Sequence, residues 1–194
     1  SSSSPQSRST SICYNPAMER YLVCMTGASG SIYGLRLLGA LALDPGTELH
    51  LVASSWASRV IAEETGRTLG SWLAELGPEK VQVHAPEDLA SPLASGSFRL
   101  SGTVVIPASI GTIGALASGT VANLVHRAGA VALKEAWPLI LVPRESPLSL
   151  IDLRNLTSLA EAGAAIMPAS PGFYHRPGDI DALVDGFIAR VLDR

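Results

Sequence analysis

The sequence predicts a single α/β domain, doubly wound around a mostly parallel sheet, and three observations carry that prediction. Short apolar runs recur along the chain, helix-spaced segments separate them, and several runs end in glycine-rich or hydroxyl-bearing turns. Continuous apolar runs suit strands covered on both faces, as in a parallel sheet with helices on each side. A length of 194 residues is natural for one domain. Apolar residues make up 47% and charged ones only 16%, against roughly 25% charged in ordinary soluble domains. Extensive burial is expected, including burial between subunits.

Residues 21–25 are the first strand, closing at a glycine-rich turn, and 31–43 follow with helical spacing. Residues 49–53 are the second strand and 57–65 its helix. A short strand at 81–83 leads into a Pro-, Ser- and Ala-rich loop over 85–97, then a strand at 103–106. Helical segments occupy 111–133, a strand 139–142, a helix 148–162 and a last strand 164–167. In the closing helix Ile180, Leu183, Val184, Phe187, Ile188, Val191 and Leu192 repeat at helical spacing as one apolar stripe. Arg190 lies near that stripe, either snorkelling at its edge or holding a cation close to a buried site. In such folds ligands bind beyond the carboxyl ends of the strands.

A net charge of −3 gives no support to a nucleic-acid or anionic-membrane partner. Cys13 and Cys24 make neither a disulfide framework nor a zinc ligand set, so a reducing, cytoplasmic setting without a metal is expected. Residues 1–17 are polar and without period and are expected to be a disordered leader, with Met18 as a candidate start and 18–194 as the catalytic domain. A transit-peptide remnant, with an organellar location, and an upstream read both fit the leader. No apolar run reaches the ~20 residues of a membrane span.

The first turn reads Thr26-Gly27-Ala28-Ser29-Gly30-Ser31. Such a strand-to-helix turn offers bare backbone N–H groups and a helix N-terminus to an anion. A nicotinamide reductase of the short-chain type would need T-G-x-x-x-G-x-G and a tyrosine four residues before a lysine. Here Gly27 and Gly30 are followed by Gly34, and Leu76 and Ala130 precede Lys80 and Lys134 at that spacing. No G-x-S-x-G nucleophile elbow occurs. Ser54-Ser55 and Ser109-Ile110-Gly111-Thr112 end two further strands; each alone is an ordinary helix cap, and the three together fit a mononucleotide. Arg127 and Lys134, seven apart, share one helix face, as phosphate ligands or as solvated charges. Arg144 and Glu145 follow the fifth strand and Tyr174 sits in the rigid loop Pro168-Ala169-Ser170-Pro171-Gly172-Phe173-Tyr174-His175.

Seven segments in this order, TGASGSIYGLRLL (26–38), LASGS (93–97), PASIGTIGALASG (107–119), NLVHRA (123–128), VALKE (131–135), PLILVPRESPLS (138–149) and MPASPGFYHRP (167–177), resemble the flavin prenyltransferases, flavoproteins close to the cysteine decarboxylases. The resemblance runs from about residue 20 to 193. It implies that Gly27, Ala28, Ser29, Ser54, Ser109, Ile110, Gly111, Thr112 and Arg144 bind flavin mononucleotide (FMN), and that Arg127, Lys134, Tyr174 and Arg190 grip the phosphate of dimethylallyl monophosphate. It further implies that Ser29, Glu64 and Glu145 serve the chemistry. On this reading reduced FMN is prenylated at N5 and C6 without a metal, inside a homododecamer, and the product supplies a partner decarboxylase. Two positions depart from the family pattern. Leu89 stands where many relatives carry an aromatic residue, and Gly129-Ala130 replaces Ala-Asp, placing in mid-helix a glycine that costs roughly 1 kcal/mol against alanine. An FMN-dependent cysteine decarboxylase is the close alternative, although its P-x-M-N-x-x-M-W segment is missing from the sequence; a non-catalytic flavin-binding subunit is the other. For Glu145 two roles stand open: an acid–base or charge-stabilising group, or a buried partner that orients Arg144.

Overall fold

A computed structural model describes residues 18–194; the expected leader over 1–17 lies outside the described residues. Six parallel strands form one sheet in the order β3-β2-β1-β4-β5-β6. They are β1 (Glu19–Met25), β2 (Thr47–Ala53), β3 (Val81–His84), β4 (Gly102–Ala108), β5 (Leu139–Pro143) and β6 (Ala165–Ile166). Seven helices cover the sheet: α1 (Ser31–Ala42), α2 (Ser55–Thr65), α3 (Leu69–Leu76), α4 (Ile110–Ser118), α5 (Leu124–Lys134), α6 (Leu150–Glu161) and α7 (Ile180–Leu192).

The pleat divides each apolar run between two cores. Leu22 and Cys24 of β1, Val105 of β4 and Leu139 and Leu141 of β5 face one core, packed by Leu116, Leu124, Val125, Leu156 and Leu159 from α4, α5 and α6. Val23 and Met25, Val104 and Ile106, and Ile140 and Val142 face the other, packed by Leu35, Leu38, Ile61, Val184 and Phe187 from α1, α2 and α7. Both faces are therefore apolar, which is why the strands read as unbroken runs. The chain winds outward from β1 to β3, then returns to β4 on the other side of β1, so β1 and β4 flank the point where the winding reverses. Helices leave these two strands on opposite faces and open a crevice at their carboxyl ends.

Several boundaries differ from expectation. Strands β1 to β5 extend by one to three residues beyond their apolar runs, because the ladder needs backbone pairing and not apolar side chains, whereas the last strand, expected over 164–167, is only Ala165–Ile166. Helix α6 starts at Leu150, where Ser149 accepts from the Asp152 amide and Asp152 receives the Ser149 amide, a reciprocal capping box. The expected helix over 111–133 is two helices, broken at Gly119, whose φ of +72° ends α4 in the left-handed region. Helix α3 was not expected: it has no fully buried residue, and it begins where Thr68 accepts from the Ser71 amide. In α7 only Val184, Phe187, Ile188 and Val191 of the predicted stripe are buried, while Ile180 and Leu192 remain exposed. Among the described residues no helix is long and apolar enough to cross a membrane.

Candidate functional site

Thr26 ties the two sides of the crevice together. Its hydroxyl donates to the Pro107 carbonyl at 2.7 Å and accepts the Ser109 amide at 2.7 Å, while the Ser54 amide donates to Met25 O at 3.0 Å. The ends of β1, β2 and β4 are thus locked in register. Gly34 lets α1 seat against them: a Cβ there would lie 2.6 Å from the Ile106 carbonyl oxygen and 2.7 Å from Met25 Cε. Gly27 is as tightly placed, since its Cβ would meet Trp56 Cβ at 2.7 Å.

These ends open on a cleft of about 380 Å³ lined by Thr26, Gly27, Ser54, Trp56, Ser109, Gly111, Thr112, Asn123, Val125 and His126. Five predicted flavin residues, Gly27, Ser54, Ser109, Gly111 and Thr112, therefore share one cavity. Ala28 and Ser29 continue the turn from Gly27, and Ile110 joins Ser109 to Gly111. Ser54 and Ser109 are N-caps, accepting the Ala57 and Thr112 amides at 3.1 and 3.3 Å. Trp56, Asn123, Val125 and His126 lie outside the predicted site residues; of these Asn123 carries a local signal, as the capping residue at the start of a helix.

Glu64 reaches from α2 to the N-terminus of α1. Its carboxylate accepts the Gly30 amide at 2.9 and 3.1 Å, the Ser31 amide at 2.8 Å and the Ser31 hydroxyl at 2.7 Å. Desolvation pushes its pKa up, but hydrogen bonds from Ser29, Ser31 and the Gly30 and Ser31 amides outweigh it and hold the carboxyl below its ordinary value. The anion-binding nest of the first turn is consequently filled by the chain's own carboxylate.

Arg144 and Glu145 follow β5 and are exposed. The Arg144 amide donates to Ala108 O at 3.4 Å, which holds this loop to the end of β4. Glu145 accepts only its neighbour's amide, Ser146 N, at 3.0 Å, and no ion pair joins it to Arg144 among the described residues. Within the protomer Arg144 and Glu145 are thus two exposed side chains that are not paired with each other.

The four predicted phosphate ligands fall into two groups. Arg127 and Lys134 are exposed on α5. Arg127 Nε donates to the Ala94 carbonyl at 2.9 Å, and Lys134 pairs with Glu135 at 2.7 Å. Tyr174 and Arg190 instead share a cavity of about 330 Å³ between the loop after β6 and α7, together with Met167, Ser170, His175 and Phe187. Tyr174 is 96% exposed, so no packing within the protomer explains its place. Neither Arg127 nor Lys134 lines that cavity. Leu89, the family departure, is half exposed. The other departure has a packing reason: a Cβ on Gly129 would lie 2.7 Å from Leu116 Cδ2, so glycine lets α5 approach α4.

The site fits a flavin nucleotide by its own chemistry: hydroxyls and helix N-termini for a phosphate, and an indole face at Trp56, with no acidic side chain in the cleft lining. Cys24 is buried and its thiol is pushed up to about 12, so it is no nucleophile. Among the described residues no group of three His, Cys, Asp or Glu side chains is placed to hold a metal ion.

Residues 12–191 match the Flavoprotein family. The flavin prenyltransferase UbiX of Pseudomonas aeruginosa is 43% identical over 185 residues, covering 90% of this chain and 88% of the relative. The crystal structure of AnUbiX in complex with FMN and dimethylallyl pyrophosphate superposes with a TM-score of 0.85 at 42% identity, covering 91% of each chain. A dodecameric FMN-dependent UbiX-like decarboxylase from Escherichia coli superposes with a TM-score of 0.84 at 43% identity, covering 90% of this chain and 92% of that one. With such identity over nine-tenths of its length, the chain belongs to the flavin prenyltransferase family of flavoproteins.

Proposed function

We propose that this chain transfers the dimethylallyl group of dimethylallyl monophosphate to N5 and C6 of reduced FMN. The observation that carries the reading is the cavity shared by Tyr174 and Arg190, which brings a hydroxyl and a guanidinium to one place, neither with a side-chain hydrogen bond or ion pair among the described residues. Arg127 and Lys134 belong to the same phosphate grip but lie on another face. Completing the grip requires a second copy of the chain, which supports assembly as a dodecamer like the relative from Escherichia coli.

Bound reduced, the flavin supplies two nucleophilic positions, N5 and C6. The rest falls to the chain. Arg127, Lys134, Tyr174 and Arg190 neutralise the phosphate that leaves with the C–O electron pair, so charge compensation needs no metal. Gly27, Ala28, Ser29, Ser54, the 109–112 turn and Arg144 hold the flavin at the strand ends. Glu64 is committed to hydrogen bonds with its pKa lowered, which makes it a weak base; it orients Ser29 and the first turn. Glu145 has one local hydrogen bond and a free oxygen. We therefore assign to Glu145 the negative charge that faces the allylic cation and the acceptance of the proton released on closure to C6. The product serves a decarboxylase that uses prenylated FMN.

The experiment is anaerobic incubation with reduced FMN and dimethylallyl monophosphate, read by mass spectrometry, with the diphosphate alongside. Prenylated flavin from the monophosphate supports the reading. Turnover of the diphosphate alone would correct the substrate, and unchanged flavin with both would remove the transferase assignment.

A further inference from the structure

Three helices begin at the same cleft. Ser54, Ser109 and Asn123 are the N-caps of α2, α4 and α5, and all three line the cavity of about 380 Å³. The three helices have 11, 9 and 11 residues, each long enough for its aligned peptide dipoles to place roughly half a positive charge at its N-terminus. The lining contains no Asp, Glu, Lys or Arg. The three helix ends therefore favour an anion in this cleft.

A second observation points to the same ligand. His126, on the first turn of α5, is only 9% exposed and lines this cavity. Its Nδ1 accepts the Ala122 amide at 3.4 Å, and burial holds its pKa below the ordinary histidine value. With Nδ1 an acceptor in the neutral ring, the proton resides on Nε2. That N–H has no protein acceptor among the described residues, and the residue lines the cleft. A nearly buried donor held in one tautomer, beside three helix N-termini, is arranged for an acceptor from outside the chain.

We propose that His126 Nε2–H is a ligand of the flavin nucleotide's phosphate, beside the Ser54 and Ser109–Thr112 turns already assigned to the flavin. The inference rests on the flavin-binding reading and adds to it a residue. The first turn cannot supply the phosphate nest, because Glu64 already fills it. The family resemblance assigns a role to the neighbouring Arg127 and none to His126.

The test compares FMN with riboflavin, which lacks only the phosphate, by titration of the full chain. Wild type should bind FMN much more tightly than riboflavin. His126→Leu should weaken FMN by about tenfold or more, the scale of a hydrogen bond to a charged group, and leave riboflavin unchanged. His126→Gln, whose amide can reach the Nε2 position, should recover most of the loss. Equal weakening of both ligands would make His126 structural, and no change would make it a bystander; either overturns the proposal. Wild type that binds riboflavin as well as FMN would remove the phosphate site, whereas no binding of either would overturn the flavin reading itself. If His126→Leu fails to fold, a crystal structure of wild type with FMN decides: phosphate oxygens within hydrogen-bonding distance of Nε2 support the proposal, and phosphate elsewhere overturns it.

Discussion

The Glu64 carboxylate accepts both the hydroxyl of Ser31 at 2.7 Å and its amide at 2.8 Å, so a side chain from α2 closes the N-terminus of α1. This arrangement fixes the turn that carries Ser29 and keeps a charged carboxylate beside the flavin cleft. Because the folded pKa lies below the unfolded one, the contribution is present above the ordinary carboxyl range and is lost as pH falls through the folded value.

Glu64→Gln should therefore lower the melting temperature at pH 7 and flatten its fall in acid, since the amide no longer titrates and can accept with one oxygen only. Prenylation should slow at least tenfold while FMN affinity changes less than threefold. Melting curves from pH 3 to 7, with flavin titration and single-turnover rates on the same preparation, check this. An unchanged acid limb would contradict the hydrogen-bonded, ionised carboxylate.

Gly34→Ala should destabilise the fold by about 1–3 kcal/mol, the usual cost of overpacking. The added Cβ would meet the Ile106 carbonyl oxygen, which belongs to β4 and cannot rotate aside. Denaturant unfolding should show the loss. A neutral outcome would mean that α1 can slide on the sheet without consequence.

His50 of β2 is buried, its Nδ1 is 3.1 Å from Nε2 of His84 on β3, and its Nε2 is 3.3 Å from Glu48 without a hydrogen bond. Burial dominates and holds its pKa near 4, with His84 and Arg20 reinforcing and Glu48 opposing. The unfolded chain, with a histidine pKa of about 6.5, takes up a proton that the folded chain refuses. Stability is full above about pH 6.5 and declines towards pH 4. The melting temperature should fall on going from pH 7 to 5, and His50→Gln should show a smaller fall from a lower starting value. Equal slopes would show that His50 does not titrate between the states.

What was legible in the sequence follows from what each feature depends on. The runs at Val104–Ile106 and Leu139–Val142 announce strands because both their faces are buried. Helix α3 was hidden because Leu69, Trp72, Leu73 and Leu76 pack only partly, with Gly70 within and Gly77 at its end diluting the helical signal. In the site, Ser54 and Ser109 were legible because a hydroxyl after a strand is a local cap. Trp56 and His126 were not, since they reach the cleft only through the packing of α2 and α5 around two other strand ends. The separation of Tyr174 and Arg190 from Arg127 and Lys134 could not be read at all, because it depends on how the last loop lies against α7.

Glu145→Gln removes a charge from an exposed carboxylate whose only hydrogen bond among the described residues is from the Ser146 amide. Folding and FMN affinity should hardly change, while prenylation should slow by roughly 10²-fold or more. Loss of flavin affinity together with activity would show a structural role, and a wild-type rate would leave Glu145 a bystander.

The most direct measurement is the mass of the flavin recovered after anaerobic incubation of the chain with reduced FMN and dimethylallyl monophosphate, compared with Arg190→Ala and Tyr174→Phe. Wild type should yield FMN with one added prenyl group, joined at N5 and C6, together with released phosphate. Product should appear at least tenfold more slowly with Arg190→Ala, with a smaller loss for Tyr174→Phe. Unmodified FMN from wild type, or an undiminished rate from Arg190→Ala, would contradict this mechanism.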